Sequence, residues 1–381
     1  MPGATFEYTE LTDEERALRD EVRSFVAEEL PPERHRPGLG MSAEFDPDFS
    51  KKMAGRGWLG MALPRHYGGQ SRKAVDRFVV VEELLRSGAP VGAHWVADRQ
   101  TGPTILNFGT EEQKQRFLPA IAAGELYFSI GMSEPDAGSD LASVRTAAVR
   151  GQDGWIVNGT KIWTSGAHQN HYFIVLCRTS PNEGDRHNGL SQFLIDLKTP
   201  GITVNPIPFL DGTHHFNEVV MDDVFVPDED VLGEIGRGWQ QVNSELGFER
   251  AGPDRYLSTW QVFLWFVGQL DEASSGAARA VAGRIAARYW ALRQLSFAVS
   301  RAIDAGKAPS LEAAIVKDLG TTFEQEVTEA ILELLDHEPS LDSAAVGEQL
   351  LAQAVLTGPS FTIRGGTTEI LRTIAAKGLR R

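Results

Sequence analysis

The sequence predicts an α+β protein of several domains, in which a helical first third and a helical last third flank a β domain. Apolar residues recur every three or four positions up to residue 124, then alternate with polar residues, and return to helical spacing after residue 235. A chain of 381 residues also exceeds the usual size of a single domain. We therefore expect domains at 1–124, 125–235 and 236–381.

The helical regions begin and end at recognisable signals. Thr12 and Glu15 are spaced as in a capping box, in which a hydroxyl and a carboxylate satisfy free amides at a helix start. Apolar residues follow at three- and four-residue steps up to Leu30, and Pro31 ends the helix. The same spacing predicts further helices at 49–56, 72–86, 111–123, 280–305, 311–335 and 344–357.

The β domain is predicted from alternation and turn residues. The segment 155–163 alternates around Asn158-Gly159, a pair typical of two-residue turns, so we expect a hairpin there. The same alternation predicts strands at 172–177, 190–195, 202–206 and 218–226. After this domain, Trp239 begins a helix that carries Glu249. Pro253 should kink that helix, because proline removes an amide and crowds the preceding turn.

Charge and composition argue against several function classes. A formal net charge of −15 disfavours nucleic acid and anionic membranes as partners, although a local pair such as Arg250 and Arg255 could still bind an anionic substrate. Cys177 is the only cysteine, so no intrachain disulfide can form and a reducing compartment fits. Neither a signal peptide nor an apolar run of the ~20 residues of a membrane helix is evident. We expect a cytoplasmic protein without nucleic-acid or membrane partners.

A metal site is not expected. His214 and His215 are adjacent on a predicted loop, and the side chains of adjacent residues diverge. No further set of ligands stands out near them in the sequence, as a zinc site would require.

Three motifs carry a resemblance to a known family. They are FSIGMSEPDAGSD at 128–140, NGTKIWTS at 158–165 and IRGGTTEILR at 363–372. Their order and separation resemble those of acyl-CoA dehydrogenases, and the resemblance covers nearly the whole chain. It implies a helical N-terminal domain, a β-barrel-like middle domain and a C-terminal four-helix bundle.

The resemblance also implies FAD as cofactor. Small residues in a turn after an apolar strand let the backbone approach a flat ring or a phosphate. By resemblance, Trp163 packs on the flavin face and the hydroxyls of Ser133 and Ser165 bind the ring edge. Without the resemblance, a serine-rich turn beside a buried tryptophan would be the simpler interpretation. The implied cofactor-binding residues are Ile130, Met132, Ser133, Gly138, Ser139, Trp163, Thr164, Ser165, Thr367 and Glu369.

The reaction implied is removal of two hydrogens from the α and β carbons of an acyl-CoA thioester. A base takes the α proton while hydride leaves the β carbon for flavin N5. Many family members have a glutamate as base where this sequence has Gly365, and glycine cannot accept a proton. Glu249 stands at the alternative position, which isovaleryl- and long-chain-type enzymes use. Otherwise, Glu249 would be a surface residue paired with an arginine.

Substrate contacts are implied for Arg250, Ser139 and Gly365. Arg250 matches a family arginine close to the substrate, although an exposed helix charge is the simpler interpretation. The amide of Gly365 could donate to the thioester carbonyl and stabilise the developing enolate. Bases at the Glu249 position occur in enzymes for branched, long or polycyclic acyl groups, so a bulky acyl-CoA is preferred.

The segments expected to bind the FAD pyrophosphate depart from the family. Family homotetramers supply an arginine and a Gln-x-x-Gly-Gly segment from a neighbouring subunit, but 329–338 contains Glu329, Glu333 and Asp336 instead. Such carboxylates would accommodate a pyrophosphate poorly. We therefore expect either a homotetramer or an α2β2 heterotetramer with a related subunit, as in dehydrogenases of steroid side chains. Electron-transfer flavoprotein, or a similar acceptor, is the other implied partner.

Two other functions remain open from the sequence. One is a flavin monooxygenase or oxidase on the same fold, such as the nitroalkane-oxidase type, which the oxygen reactivity of the reduced flavin would distinguish. The other is a non-catalytic partner subunit of a heteromeric dehydrogenase, which turnover by a Glu249→Gln variant would distinguish.

Overall fold

The computed structural model describes residues 4–40, 44–181 and 184–379, and the side chains of 245–249 lie outside this description. The chain forms two compact units. The first, unit 1, contains residues 1–45, 73–91 and 250–381, and the second, unit 2, contains residues 46–72 and 92–249. The domain boundaries expected from the sequence stay a prediction.

Unit 1 contains helices from both ends of the sequence. The capping box is confirmed, because the Thr12 hydroxyl accepts from the amide of Glu15 and the Glu15 carboxylate accepts from the amide of Thr12. The buried carboxylate of Glu82 accepts two hydrogen bonds from Arg293, at 2.7 and 2.9 Å. The helices are α1 (Asp13–Glu29), α3 (Ala74–Arg86), α7 (Trp260–Gly268), α8 (Gly276–Asp304), α9 (Ser310–Leu332), α10 (Val346–Thr357) and α11 (Thr368–Leu379).

Unit 2 packs helices against one face of a mixed sheet. Phe117, Phe128 and Ile174 are buried in the shared core, where the two phenylalanine rings meet edge to face at 5.7 Å. The helices are α2 (Pro47–Gly55), α4 (Gly102–Phe108), α5 (Glu111–Ala122) and α6 (Gly238–Glu249). The strands are β1 (Phe128–Gly131), β2 (Ala147–Arg150), β3 (Gly154–Ser165), β4 (Tyr172–Arg178), β5 (Leu190–Asp196), β6 (Ile202–Pro208), β7 (His214–Pro227) and β8 (Val231–Leu232).

The sheet has the order β6-β7-β3-β2-β4-β5-β8, and β1 pairs with β4 in parallel. The other face of the sheet covers a core that includes Trp155, Phe173 and Phe193. Since the strands predicted at 172–177, 190–195, 202–206 and 218–226 all lie within β4 to β7, those predictions are confirmed. The fold class is confirmed as well, with helices at both ends of the chain and a central mixed sheet.

The hairpin predicted at Asn158-Gly159 is wrong. Residues 154–165 form one continuous strand, and the reversal lies between β2 and β3, where the amide of Gly151 donates to the carbonyl of Gly154. The Asn158 side chain instead pairs with Asp223 across the sheet, through bonds of 2.9 and 2.8 Å. Asn158 therefore makes a cross-strand contact and not a turn. Gly159 adopts an unusual φ of +152° at a register shift of the strand.

Candidate functional site

Strand β3 contains a bulge at Trp163. Lys161 lies opposite Val219 of β7 and Thr164 lies opposite Asn217, so β3 has one residue more than β7 between these pairs. Trp163 takes a φ of +60° and leaves 53% of its surface exposed. A positive φ costs a residue other than glycine of order 1–3 kcal/mol and is typical of functional sites. The simpler interpretation of a buried tryptophan is therefore wrong.

The loop after β1 is attached to this bulge. The amide of Ile162 donates to the carbonyl of Ser133 at 2.9 Å, and the ammonium of Lys161 donates to the carbonyl of Met132 at 3.1 Å. Beyond Ser133 the loop turns back, and Gly138 and Ser139 are exposed. We call residues 132–139 and 163–165 together the ring segment, because they include most of the residues expected at the flavin ring.

A buried ion pair supports the ring segment, and the sequence analysis missed it. The ammonium of Lys161 lies 2.8 Å from the carboxylate of Glu134, and both side chains are buried. Burial would raise the pKa of Glu134, but Lys161 and the donors from Thr146 and Arg145 prevail, so its pKa lies below its usual value. The signal for this pair was Lys161, the single charged residue of the motif at 158–165, together with the acidic residues of the motif at 128–140.

Two hydroxyl groups of the ring segment are available to a ligand. The Thr164 hydroxyl is not one of them, because it is fully buried, without a partner among the described residues. The half-buried hydroxyls of Ser133 and Ser165 form no hydrogen bond with any residue that the structure describes. Together with the half-exposed indole of Trp163, these donors suit a flat, polar-edged ring, so the ring segment fits the isoalloxazine of FAD.

The C-terminal motif forms a turn in unit 1. Gly365 and Gly366, which we call the closing turn, have φ of +66° and +99°, values that favour glycine. The buried Lys317 of α9 donates to the carbonyl of Gly366. The amide of Gly365 has no acceptor within the described residues. The closing turn therefore offers a backbone donor but no side chain.

The expected cofactor residues after the closing turn lie at the start of α11. The Thr367 hydroxyl accepts from the amide of Ile370 at 3.4 Å, as a residue preceding a helix does. Glu369 is exposed, and hydrogen bonds from its own amide and from Thr367 lower its pKa. These contacts are local, so the structure gives each residue a role in starting the helix.

A second buried ion pair adjoins the closing turn, and it was also missed. The guanidinium of Arg364 donates to Glu324 at 3.2 Å and to the Ser258 hydroxyl at 2.8 Å. Glu324 also accepts from the amide of Ser258 at 2.7 Å. Burial raises the pKa of Glu324, although Arg364 opposes the shift. This network connects α9 with the segment before α7 and holds the residue preceding Gly365.

Glu249 is the last residue of α6, and its side chain lies outside the described residues. The kink expected at Pro253 is wrong, because α6 ends at Glu249 and a short 3-10 helix follows at Pro253–Arg255. Proline disfavours the helical conformation of the residue before it, and Gly252 is extended at φ −75° and ψ 166°. The helix therefore ends before Pro253 and does not kink there.

Arg250 lies beside the closing turn. A Cβ atom built on Gly366 would lie 3.9 Å from Nη2 of Arg250. Arg250 is half-buried, so the interpretation of an exposed helix charge is wrong. The residue that follows Glu249 in the chain is therefore next to the turn that lacks the family carboxylate.

The end of α9 is acidic, as the sequence indicated. A cavity of about 200 Å³ between α8 and α9 is lined by Glu326, Glu329 and Glu333 and by Arg284 and Arg288. Arg288 forms an ion pair with Glu326, which leaves more negative than positive charge. The C-terminus of a helix also carries partial negative charge. We call Glu326, Glu329 and Glu333 the acidic end; it does not suit a pyrophosphate.

The described residues offer neither a metal site nor a membrane span. Over the described residues, no group of three or more His, Cys, Asp or Glu side chains is placed to hold a metal ion. No helix in the same part of the chain is both long and apolar enough to span a bilayer.

Family models match most of the sequence. The N-terminal, middle and C-terminal domain models of acyl-CoA dehydrogenases match residues 12–125, 129–224 and 273–380. The chain belongs to the acyl-CoA dehydrogenase family. It is therefore an oxidoreductase of a family of flavoproteins that act on acyl-CoA. The matched stretches leave out 225–272, the segment that contains Glu249 and Arg250.

Relatives and solved structures agree with this assignment. The chain is 32% identical to acyl-CoA dehydrogenase FadE26 of Mycobacterium tuberculosis, over 95% of this chain and 96% of the relative. It is 33% identical to FadE34 of the same organism, over 95% of this chain but 48% of that relative. Among solved structures, a complex described as the Tcur3481-Tcur3483 steroid ACAD matches with a TM-score of 0.86 and 30% identity, over 98% of both chains. The ChsE4-ChsE5 complex of M. tuberculosis matches with a TM-score of 0.83 and 31% identity, over 98% of this chain and 100% of that one.

The expected site residues fall into two groups. The structure brings the first group together around the bulge of β3 in unit 2 and the second around the closing turn in unit 1. The first group is Ile130, Met132, Ser133, Gly138, Ser139, Trp163, Thr164 and Ser165, and the second is Arg250, Gly365, Thr367 and Glu369.

Proposed function

We propose that this chain catalyses the FAD-dependent α,β-dehydrogenation of an acyl-CoA thioester, with Glu249 as the base. The observation that carries the proposal is the position of Arg250, whose guanidinium lies beside the closing turn. Glu249 directly precedes Arg250, with consecutive Cα atoms about 3.8 Å apart, which supports this assignment. A glutamate at this position can replace the carboxylate that Gly365 cannot provide.

Each residue of the proposed site would have a separate role in the reaction. Glu249 accepts the α proton, and the amide of Gly365 donates to the thioester carbonyl as negative charge develops there. Arg250 orients the acyl-CoA beside the closing turn. The ring segment holds the isoalloxazine of FAD, with Trp163 on its face and Ser133 and Ser165 as donors to its edge. FAD, when bound, supplies the acceptor for the β hydride.

The proposed substrate carries a bulky acyl group, such as a branched or steroid-like side chain. Glu249 as base favours this class, as the sequence resemblance implies. A solved complex at 30% identity is described as a steroid ACAD, and the chain covers 98% of it. These observations support a test with polycyclic and branched acyl-CoAs before short straight chains.

We propose further that a related subunit completes the FAD site. By resemblance, family homotetramers bind a pyrophosphate near 329–338, and the carboxylates of Glu329 and Glu333 there disfavour one. Another chain would then supply those contacts. Two solved structures with about a third of their residues identical to this chain are complexes of two differently named chains. An α2β2 heterotetramer is the arrangement that this proposal favours over a homotetramer.

The proposal also includes a reducing compartment, the cytoplasm, and electron-transfer flavoprotein or a similar acceptor. Cys177 is buried in the sheet, and burial raises the pKa of its thiol to about 12. A thiol in this state is inert and makes no disulfide, as a cytoplasmic protein requires.

Anaerobic bleaching of the flavin by a panel of acyl-CoAs tests the proposal, with and without candidate related subunits. Glu249→Gln should lower the bleaching rate by about 10²–10⁴-fold, the usual contribution of a general base, while flavin binding is retained. Glu245→Gln, a matched change one turn earlier on α6, should leave the rate unchanged. Wild-type turnover in Glu249→Gln would exclude Glu249 as the base. Rapid reoxidation of the reduced flavin by oxygen would indicate an oxidase instead.

A further inference from the structure

Asn217 lies directly behind the bulge of β3. It is opposite Thr164 in the β3–β7 ladder, and its side chain is fully buried. One amide proton goes to the carbonyl of Thr164 at 3.0 Å. A bulge interrupts the regular ladder, and this side-chain bond reinforces the pairing that resumes at the residue after Trp163.

Two stacked histidines cover Asn217. The rings of His168 and His214 lie 3.9 Å apart at 22°. The second amide proton of Asn217 lies toward Nδ1 of His168 at 3.1 Å, and its oxygen accepts from Nε2 of His214 at 2.8 Å. Partial burial lowers the pKa of His168, and the electrostatic effect of the neighbouring His214 lowers it further. A neutral ring can accept at Nδ1, so the pair sets which end of the amide faces Thr164.

The bonds on the opposite side of the bulge involve different residues. Ile162 bonds to Ser133, and the Ser129 hydroxyl donates to the carbonyl of Ser165 at 2.7 Å. Between them, the side-chain amide of Asn217 donates to the carbonyl of Thr164. The Thr164 hydroxyl, in contrast, is buried without a partner and belongs to the ring segment. A rotation of the Thr164 peptide would move both this hydroxyl and the indole of Trp163.

We propose that Asn217 is a positioning residue for the flavin ring, acting through the carbonyl of Thr164, and that the His168–His214 stack fixes the orientation of its amide. This inference depends on the proposed function, because it assumes that the ring segment holds the isoalloxazine. It assigns a role to the two histidines that requires no metal and no contact with the substrate. Asn217 is fully buried behind the strand, so its effect on a ligand would pass through the backbone of Thr164.

The test is flavin binding by the purified chain, measured by equilibrium dialysis against FAD and riboflavin and by the visible flavin spectrum. Asn217→Asp keeps the shape and loses the donors to Thr164 and to His168, so it should weaken binding of both flavins by about tenfold or more, as loss of one or two buried hydrogen bonds does. The vibronic structure of the bound-flavin spectrum should change as well. His214→Ala, a surface change that spares the fold, should give a smaller loss in the same direction.

Asn158→Ala is the matched control. It removes two side-chain bonds at the other register shift of the same strand, away from Trp163, and should leave binding and spectrum unchanged. Wild-type flavin affinity and spectrum in Asn217→Asp, with the variant folded by circular dichroism, would overturn the inference. Equal losses in Asn158→Ala and Asn217→Asp would also overturn it, because they would indicate general damage to the sheet. Absence of flavin binding by the wild-type chain, even with related subunits, would instead contradict the proposed function.

Discussion

The ring segment and the acidic end differ in how each could receive a cofactor. The ring segment has neutral donors, an exposed indole, and a buried ion pair behind it whose charges are matched. The acidic end has three carboxylates at a helix C-terminus, and two arginines line the same cavity. The first suits a polar-edged ring, and the second disfavours a doubly charged pyrophosphate. This comparison supports the proposal that the chain holds the ring half of FAD and that a related subunit holds the phosphates.

The buried ion pair behind the ring segment should give the largest effect on stability. Lys161→Met leaves the Glu134 carboxylate buried without its partner, which should cost about 3–5 kcal/mol in the free energy of unfolding. Urea denaturation measures this loss. Arg150→Met is the control, because the Arg150–Asp228 pair is exposed and such pairs contribute about 0–1 kcal/mol.

The pH dependence of the same pair has a definite sign. Because the folded-state pKa of Glu134 is lowered, its stabilisation is present above the unfolded pKa and is lost as pH falls through the folded value. Wild-type stability should therefore fall on acidification, and Glu134→Gln should flatten that part of the curve. Parallel curves for the two proteins would contradict the assigned ionisation state.

The closing turn should give an intermediate effect. Gly365→Ala places a side chain at φ +66°, which should cost about 1–2 kcal/mol in unfolding free energy. Gly358→Ala is the matched control, since Gly358 has φ −48° and a Cβ there would meet nothing within 4 Å. Thermal unfolding measures the difference between the two variants. Equal stability would show that a side chain at position 365 causes no strain in the closing turn.

The sequence predicted the helices and strands more accurately than the contacts between residues distant in the chain. The strands of the sheet and most helix ends follow from local spacing, as the confirmed capping box of Thr12 and Glu15 shows. Asn158-Gly159 was misassigned because the partner of Asn158, Asp223, lies on another strand. Lys161, Glu134 and Asn217 were missed for a similar reason, because contacts between residues far apart in the chain leave no local periodicity.

The acidic end should give the smallest effect. Replacing both Glu329 and Glu333 by Gln removes two negative charges from the place where a pyrophosphate would approach. FAD affinity should then rise about two- to fivefold, as expected for partly exposed charges, while riboflavin affinity stays constant. Glu14→Gln with Glu21→Gln, which makes the same charge change on α1, should alter neither affinity. A gain for riboflavin as large as that for FAD would argue against a phosphate effect.

The ratio of FAD to riboflavin affinity in the chain purified alone tests the central claim most directly. If the chain holds only the ring half, equilibrium dialysis should give dissociation constants within about threefold of each other, a difference below 1 kcal/mol. Addition of a related subunit should then strengthen FAD binding and leave riboflavin binding little changed. Stoichiometric FAD in the chain purified alone, or a hundredfold preference of about 2.7 kcal/mol for FAD over riboflavin, would contradict the account.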